Sequence, residues 1–250
     1  MSKISTNEVI EFFKAATDVY AEAAVNVGLW ESERILAEKY FKKKDSLLDV
    51  GCGAGRTTFG LMKHGYNSIL GIDVTPSMID AANSINKERN LNAQFEVADA
   101  TNLQYENESY SNAIFTFNGL MQIPGIENRI QAMMEISRVL KPGGHFIFTS
   151  HDRDMEFKFQ NYWSAEKNSW ISGKHDPTLH EYGDRLVRTR HEKAGIYIHH
   201  PDRKEILDCV DRSGFVLVED VFRNELVEES KVIKDFSGEC RFWVLRKNGE

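Results

Sequence analysis

The stretch "LLDVGCGAGRTT", residues 47–58, sets three glycines, Gly51, Gly53 and Gly55, directly behind an apolar run that carries an acid, Asp49. Bare backbone at such a place lets the chain turn sharply through positive φ and brings amide groups against a ligand at the start of the following helix. The spacing then discriminates among ligands. A dinucleotide fingerprint G-x-G-x-x-G beginning at Gly51 needs a glycine at 56, where this chain has Arg56, and no Gly-Lys-Ser/Thr follows to make a phosphate-binding loop. A nucleotide-like ligand other than NAD, FAD or a nucleoside triphosphate is implied.

Two further acids define that ligand. Asp73 closes the strand-like run in "LGIDVTPSMI", about twenty residues past the glycines, where a carboxylate accepts from ribose hydroxyls. Asp99 follows the next run in "FEVADATNL", placed to accept from an exocyclic amine such as that of adenine. Carboxylates at the ends of three successive runs, Asp49, Asp73 and Asp99, repel a pyrophosphate but suit a ligand with an amine and a sulfonium. S-adenosylmethionine has that form.

The elements that must hold these residues alternate along the chain. Segments 46–50, 68–73, 94–98, 112–117 and 144–150 read as short buried strands. Between them, 76–89 carries Met78, Ile79, Ala82 and Ile85 on one stripe, with Thr75 as N-cap and Pro76 at the first helical position. Segment 125–140 repeats the pattern and is stopped by Lys141-Pro142-Gly143-Gly144. Such alternation predicts an α/β fold, a doubly wound, mostly parallel sheet with ligands beyond the carboxyl ends of its strands.

The ordered series "LLDVGCGAGRTT", "GIDVTPSMI", "VADATNL", "AIFTFNGLMQI" and "RVLKPGGHFIF" resembles the motifs of class I S-adenosylmethionine-dependent methyltransferases, over roughly residues 46–150. The resemblance implies a seven-stranded Rossmann-like sheet. It implies that Gly51, Cys52, Gly53 and Ala54 line the methionine part of the cofactor, with Asp49 near its amino group. Asp73 would hold the ribose, Val74 and Met78 flank the adenine, and Asp99 and Ala100 meet its edge. Phe117, Asn118 and Gln122 would lie near the sulfonium, and S-adenosylhomocysteine would be the product. The fourth strand departs from the family's frequent acidic start, reading Ser111-Asn112, so no catalytic role is expected there.

The same fold divides the chain into a helical N-terminal cover (1–44), a cofactor-binding core (45–150), a lid insertion after the fifth strand (151–200), and a closing helix with an antiparallel strand pair (201–250). Asp202–Ser213 carries a capping-box pattern, Asp202-x-x-Glu205, and 215–222 and 240–246 are strand-like. Segment 151–181 is long for a loop and holds Phe157, Phe159, Tyr162, Trp163 and Trp170, which marks a substrate lid. Segments 185–190 and 196–199 form an added hairpin turning near Lys193-Ala194-Gly195. His151, after the fifth strand, is the candidate general base. Tyr20 and Trp30 of the N-terminal cover, and Tyr162 and Trp163 of the lid, are candidate substrate-pocket walls, where aromatic faces suit a sulfonium or a cationic acceptor.

Composition narrows the partners. The 250 residues have 31 Lys and Arg against 38 Asp and Glu, a net charge of −7 without a basic stripe, which disfavours nucleic acid. No run reaches the roughly 18 apolar residues of a membrane helix, and "MSKISTNEVIEFFK" lacks a signal-peptide core, so a cytoplasmic location is expected. Three cysteines without CxxC spacing, and eight histidines without ligand spacing, suggest no metal. The leading expectation is methylation of a small or medium-sized acceptor. The alternatives are an RNA or protein methyltransferase and a non-catalytic S-adenosylmethionine-binding protein.

Overall fold

All four residues of β1 (Leu47–Val50) are buried, as a strand covered on both faces requires. It lies at the centre of a seven-stranded sheet in the computed structural model, which describes residues 2–155, 159–187 and 195–249. The other strands are β2 (Ile69–Asp73), β3 (Gln94–Val97), β4 (Asn112–Phe115), β5 (His145–Ser150), β8 (Phe215–Phe222) and β9 (Arg241–Lys247), while β6 (Asp184–Val187) and β7 (Ile196–His199) pair separately. The order is β3-β2-β1-β4-β5-β9-β8. The neighbours from β3 to β5 are parallel, and β9 runs antiparallel to both β5 and β8.

The α-helices of the described residues are α1 (Thr6–Ala15), α2 (Thr17–Asn26) and α3 (Glu31–Tyr40) ahead of β1, then α4 (Arg56–Lys63), α5 (Pro76–Glu88), α6 (Ile126–Val139), α7 (Gln160–Ile171), α8 (Arg203–Asp211), α9 (Arg223–Leu226) and α10 (Lys231–Phe236). Alternate strand residues feed the two cores. Phe146 and Phe148 of β5 join Val50, Ile136 and Trp243 on one face, while Ile147 joins Leu36, Leu61 and Val244 on the other. The predicted capping box of α8 is present, with Asp202 accepting from the Glu205 amide at 2.9 Å.

Several boundaries differ from expectation for local reasons. The N-terminal helical cover is made of three helices, separated at Ala16 and again at Gly28, whose φ is +68°. Strand β4 ends two residues early because Phe117 and Asn118 take φ of 56° and 60°, outside any strand conformation. The insertion after β5 is not an extended loop; it contains α7. Phe157, the Arg188–Arg190 end of the expected hairpin and its Lys193-Ala194 turn lie outside the described residues. Among the described residues no helix is long and apolar enough to cross a membrane.

Candidate active site

The order of the sheet reverses between β1 and β4, whose partners diverge to either side, and a cleft opens beyond the carboxyl ends of the strands there. Gly51 to Ala54 form one wall. At Gly51 (φ +61°) a Cβ would stand 2.2 Å from the Phe115 ring, so only glycine fits between the turn and β4. Gly53 (φ +54°) directs its amide onto Asp73 Oδ2 at 3.0 Å, and the Thr75 amide donates to Asp73 Oδ1 at 2.8 Å. These bonds fix the Asp73 carboxylate at the end of β2 with lone pairs remaining for a ligand. Burial raises its pKa above the ordinary carboxylate value, against the lowering pull of those amides.

Most residues expected at a cofactor site share this one cleft: Gly51, Cys52, Gly53, Ala54, Asp73, Val74, Met78, Asp99, Ala100, Phe117 and Gln122 all line it. Asp99 uses Oδ1 to accept the Thr101 amide and hydroxyl, both at 2.8 Å. Cys52 is buried, and that burial pushes its thiol well above the ordinary range.

Asp49 does not line the cleft. It lies beneath the glycine turn, 1% exposed, and accepts the Thr58 hydroxyl at 2.6 Å. Burial pushes its pKa up to about 7, opposed by Thr58 and by the charge of Arg56. Asn118 is likewise behind the wall: its amide donates to Thr149 Oγ1 at 2.8 Å, and its side-chain nitrogen is 3.2 Å from His151 Nε2. His151 Nδ1 is 2.9 Å from the Glu239 carbonyl, which only accepts, so Nδ1 carries the proton and Nε2 accepts from Asn118. The candidate base thus has its basic nitrogen engaged, one layer from the cleft, with its ring stacked on His200 at 4.8 Å. Burial keeps His200 well below the ordinary histidine pKa.

The four candidate substrate-wall aromatics separate. Tyr20 lines the cleft and meets Phe117 edge to face at 5.9 Å. Trp30 does not line it; fully buried, it has the guanidinium carbons of Arg56 and Arg223 at 4.9 and 5.1 Å from its ring and supports Phe117 from behind. Tyr162 and Trp163 also fall outside the cleft: Tyr162 lies under the Arg185 guanidinium, and Trp163 packs against His200 and Tyr182.

Sequence reasoning missed the rest of the wall. Arg56, immediately after the turn, lines the cleft and grips Glu33 with both terminal nitrogens, at 2.7 and 2.6 Å. Glu33 also accepts the Trp30 amide at 2.9 Å, tying α3 to the glycine turn. Thr6, Val9 and Phe13 of α1 form the roof, which is fastened to the insertion by the Ile4 amide donating to the Thr178 carbonyl at 2.9 Å and by His180 Nε2 at 2.7 Å from the Ile4 carbonyl. Phe236 of α10 completes the wall, stacked on Phe117 at 5.0 Å and 14°.

Among the described residues one group has metal-ligand chemistry. Ligand atoms of Glu181, Asp184 and His199 lie within 4.8 Å of one another. Each already has hydrogen-bonding partners. Asp184 accepts from Tyr197, His199 and the amides of His180 and Glu181, and Glu181 accepts from Arg129. This is a hydrogen-bonded charge cluster bracing the insertion.

Residues 47–144 match a protein family described as a methyltransferase domain. An uncharacterized protein of Methanocaldococcus jannaschii is 28% identical over 214 residues, 83% of this chain and 76% of that one. Human EEF1A lysine methyltransferase 2 is 37% identical over 110 residues, 42% of this chain; the match spans 47% of that relative, less than half its length. The crystal structure of an S-adenosylmethionine-dependent methyltransferase from Methanosarcina mazei superposes with a TM-score of 0.70 at 23% identity, covering 89% of this chain and all of that one, and so shares the fold.

Proposed function

We propose that this chain, whose residues 47–144 match a methyltransferase-domain family, is a class I S-adenosylmethionine-dependent methyltransferase that transfers the cofactor's methyl group to a small or medium-sized acceptor by in-line displacement. The donor set fits the cofactor: a glycine turn in which Gly51 leaves no room for a side chain, and at the end of β2 and after β3 two carboxylates, Asp73 and Asp99, with acceptor capacity for ribose hydroxyls and an adenine amine. The cofactor supplies a methyl group already activated on sulfur. The chain's residues bind and orient. Gly51 to Ala54 receive the methionine part, Asp73 the ribose, Val74 and Met78 flank the adenine, and Asp99 with Ala100 meets its edge. Phe117 and Gln122 stand at the sulfonium end, with Asn118 fixing the turn behind them. Holding the nucleophile on the methyl–sulfur axis accounts for much of the rate enhancement such a transfer needs.

The observation that supports a small acceptor is the roof. Helix α1 covers the cleft and is fastened to the insertion through Ile4, leaving the transfer region enclosed by side chains of α1, α2 and α10. The cover 1–44 and the insertion 151–200 then serve as two parts of a lid over the core. The lysine-methyltransferase name of the human relative favours a protein acceptor as the second reading. Calorimetry with S-adenosylhomocysteine tests the cofactor, and failure to bind at millimolar concentration refutes it. Incubation with methyl-labelled cofactor, a metabolite pool and a protein extract separates the acceptors: label is expected in the small-molecule fraction, and label confined to protein overturns the small-acceptor reading.

A further inference from the structure

Between β8 and β9, where a short turn would suffice, the chain inserts residues 223–240 with α9 and α10. The insert is firmly placed. Glu229 accepts the Glu31 and Ser32 amides at 3.2 and 2.9 Å and the Ser32 hydroxyl at 2.6 Å, binding it to the N-terminus of α3. Arg223, 4% exposed, donates to the Ser237 carbonyl at 3.1 Å beneath α10. The result is one ring, Phe236, stacked face to face on Phe117. Phe117 meets Tyr20, and Tyr20 meets Phe13 at 5.7 Å, both edge to face. All four rings line the cleft.

The charged side chains among the described lining residues are Arg56, Asp73 and Asp99. Arg56 is ion-paired with Glu33, and the two acids stand at the end of β2 and after β3. The four rings bring no charge of their own to the wall, and aromatic rings attract cations and repel anions at their faces.

Resting on the methyltransferase reading above, we propose that the acceptor is an amine, methylated on nitrogen against this aromatic wall, and that Phe236 is a specificity-determining residue. The amine first releases its ammonium proton to water and attacks in its neutral form. Its lone pair forms the nitrogen–carbon bond, the methyl carbon–sulfur bond breaks with its electron pair passing to sulfur, and the new ammonium later releases its proton to water. Positive charge moves from sulfur to nitrogen inside the same set of π-faces, so the wall stays complementary throughout. A neutral amine needs no side-chain base in the cleft, which agrees with His151 Nε2 being engaged by Asn118. An alcohol or thiol must shed its proton to react, and the oxyanion or thiolate formed would face the negative side of the rings.

The test measures binding to protein saturated with S-adenosylhomocysteine, which leaves the methyl space open. The probes are choline, a cation that accepts no further methyl group, and 3,3-dimethylbutan-1-ol, its uncharged isostere. Choline should bind about tenfold more tightly than the alcohol. Phe236→Leu should lower choline affinity at least about fivefold, more than it lowers S-adenosylhomocysteine affinity, and Phe236→Tyr should keep choline affinity within about twofold. Equal binding of the two probes, or choline affinity indifferent to Phe236→Leu in protein that still takes up S-adenosylhomocysteine, overturns the proposal. If S-adenosylhomocysteine itself does not bind, the cofactor reading beneath it falls instead. Should Phe236→Leu fail to fold, the two-probe comparison on the unsubstituted chain and Phe236→Tyr still decides.

Discussion

Asp49 is a buried acid whose cost can be measured. In the folded chain its pKa is raised from 3.8 to about 7, burial being the main cause. A carboxyl raised in this way favours folding most when both states are protonated, below the unfolded value, and that stability is lost as pH rises through the folded value. The whole loss, about three pKa units, amounts to about 4 kcal/mol, of which about 2 to 3 kcal/mol falls between pH 5 and pH 8. Asp49→Asn keeps the shape and an oxygen for the Thr58 hydroxyl while removing the charge. Urea denaturation of both proteins at pH 5, 6.5 and 8, without ligand, should show the substituted chain gaining on the parent by that 2 to 3 kcal/mol across the range. A stability difference that stays constant within about 0.5 kcal/mol from pH 5 to pH 8 refutes the reasoning, because a surface-like Asp49 would already be ionised throughout.

Glu33→Gln leaves the buried Arg56 guanidinium without its counter-charge and should lower unfolding free energy by about 3 to 5 kcal/mol in the same urea assay. Gly51→Ala places a Cβ 2.2 Å from Phe115 at a positive φ; S-adenosylhomocysteine affinity measured by calorimetry should fall more than about tenfold. Asp73→Ala removes the acceptor of the Gly53 amide together with the expected ribose partner, so the same titration should show a loss of about tenfold to a hundredfold, with the circular dichroism spectrum retained. His151→Ala should slow turnover without removing the acidic limb of the pH–rate profile; disappearance of that limb would make His151 the base.

The central strands were legible because burial on both faces favours short, mostly apolar runs, and β1, β4 and β5 each carry two or three adjacent apolar residues. Asp73 and Asp99 were legible through strand ends, since a parallel sheet brings successive strand termini to one rim. Asp49 misled because the residue type was read without its depth: it belongs to a fully buried strand and points under the turn. Trp30 misled similarly, for an aromatic on a covering segment was expected to face the ligand, whereas two guanidiniums and Phe117 enclose it. His151 was placed correctly at the end of β5, but its tautomer depends on the Glu239 carbonyl, 88 residues away. Phe236 had no local signal, because a six-residue helix carries too little periodicity to announce which way its one aromatic points.

The fastening of Lys3 and Ile4 to Leu179 and His180 joins positions 176 apart in the chain. Contacts of such separation are entropically expensive to close and belong to the late stages of folding, when the parallel sheet can already stand. A chain at that intermediate stage would carry a formed nucleoside cradle open to bulk water. The joint includes no strand residue, so its loss leaves the pairings of the sheet in place.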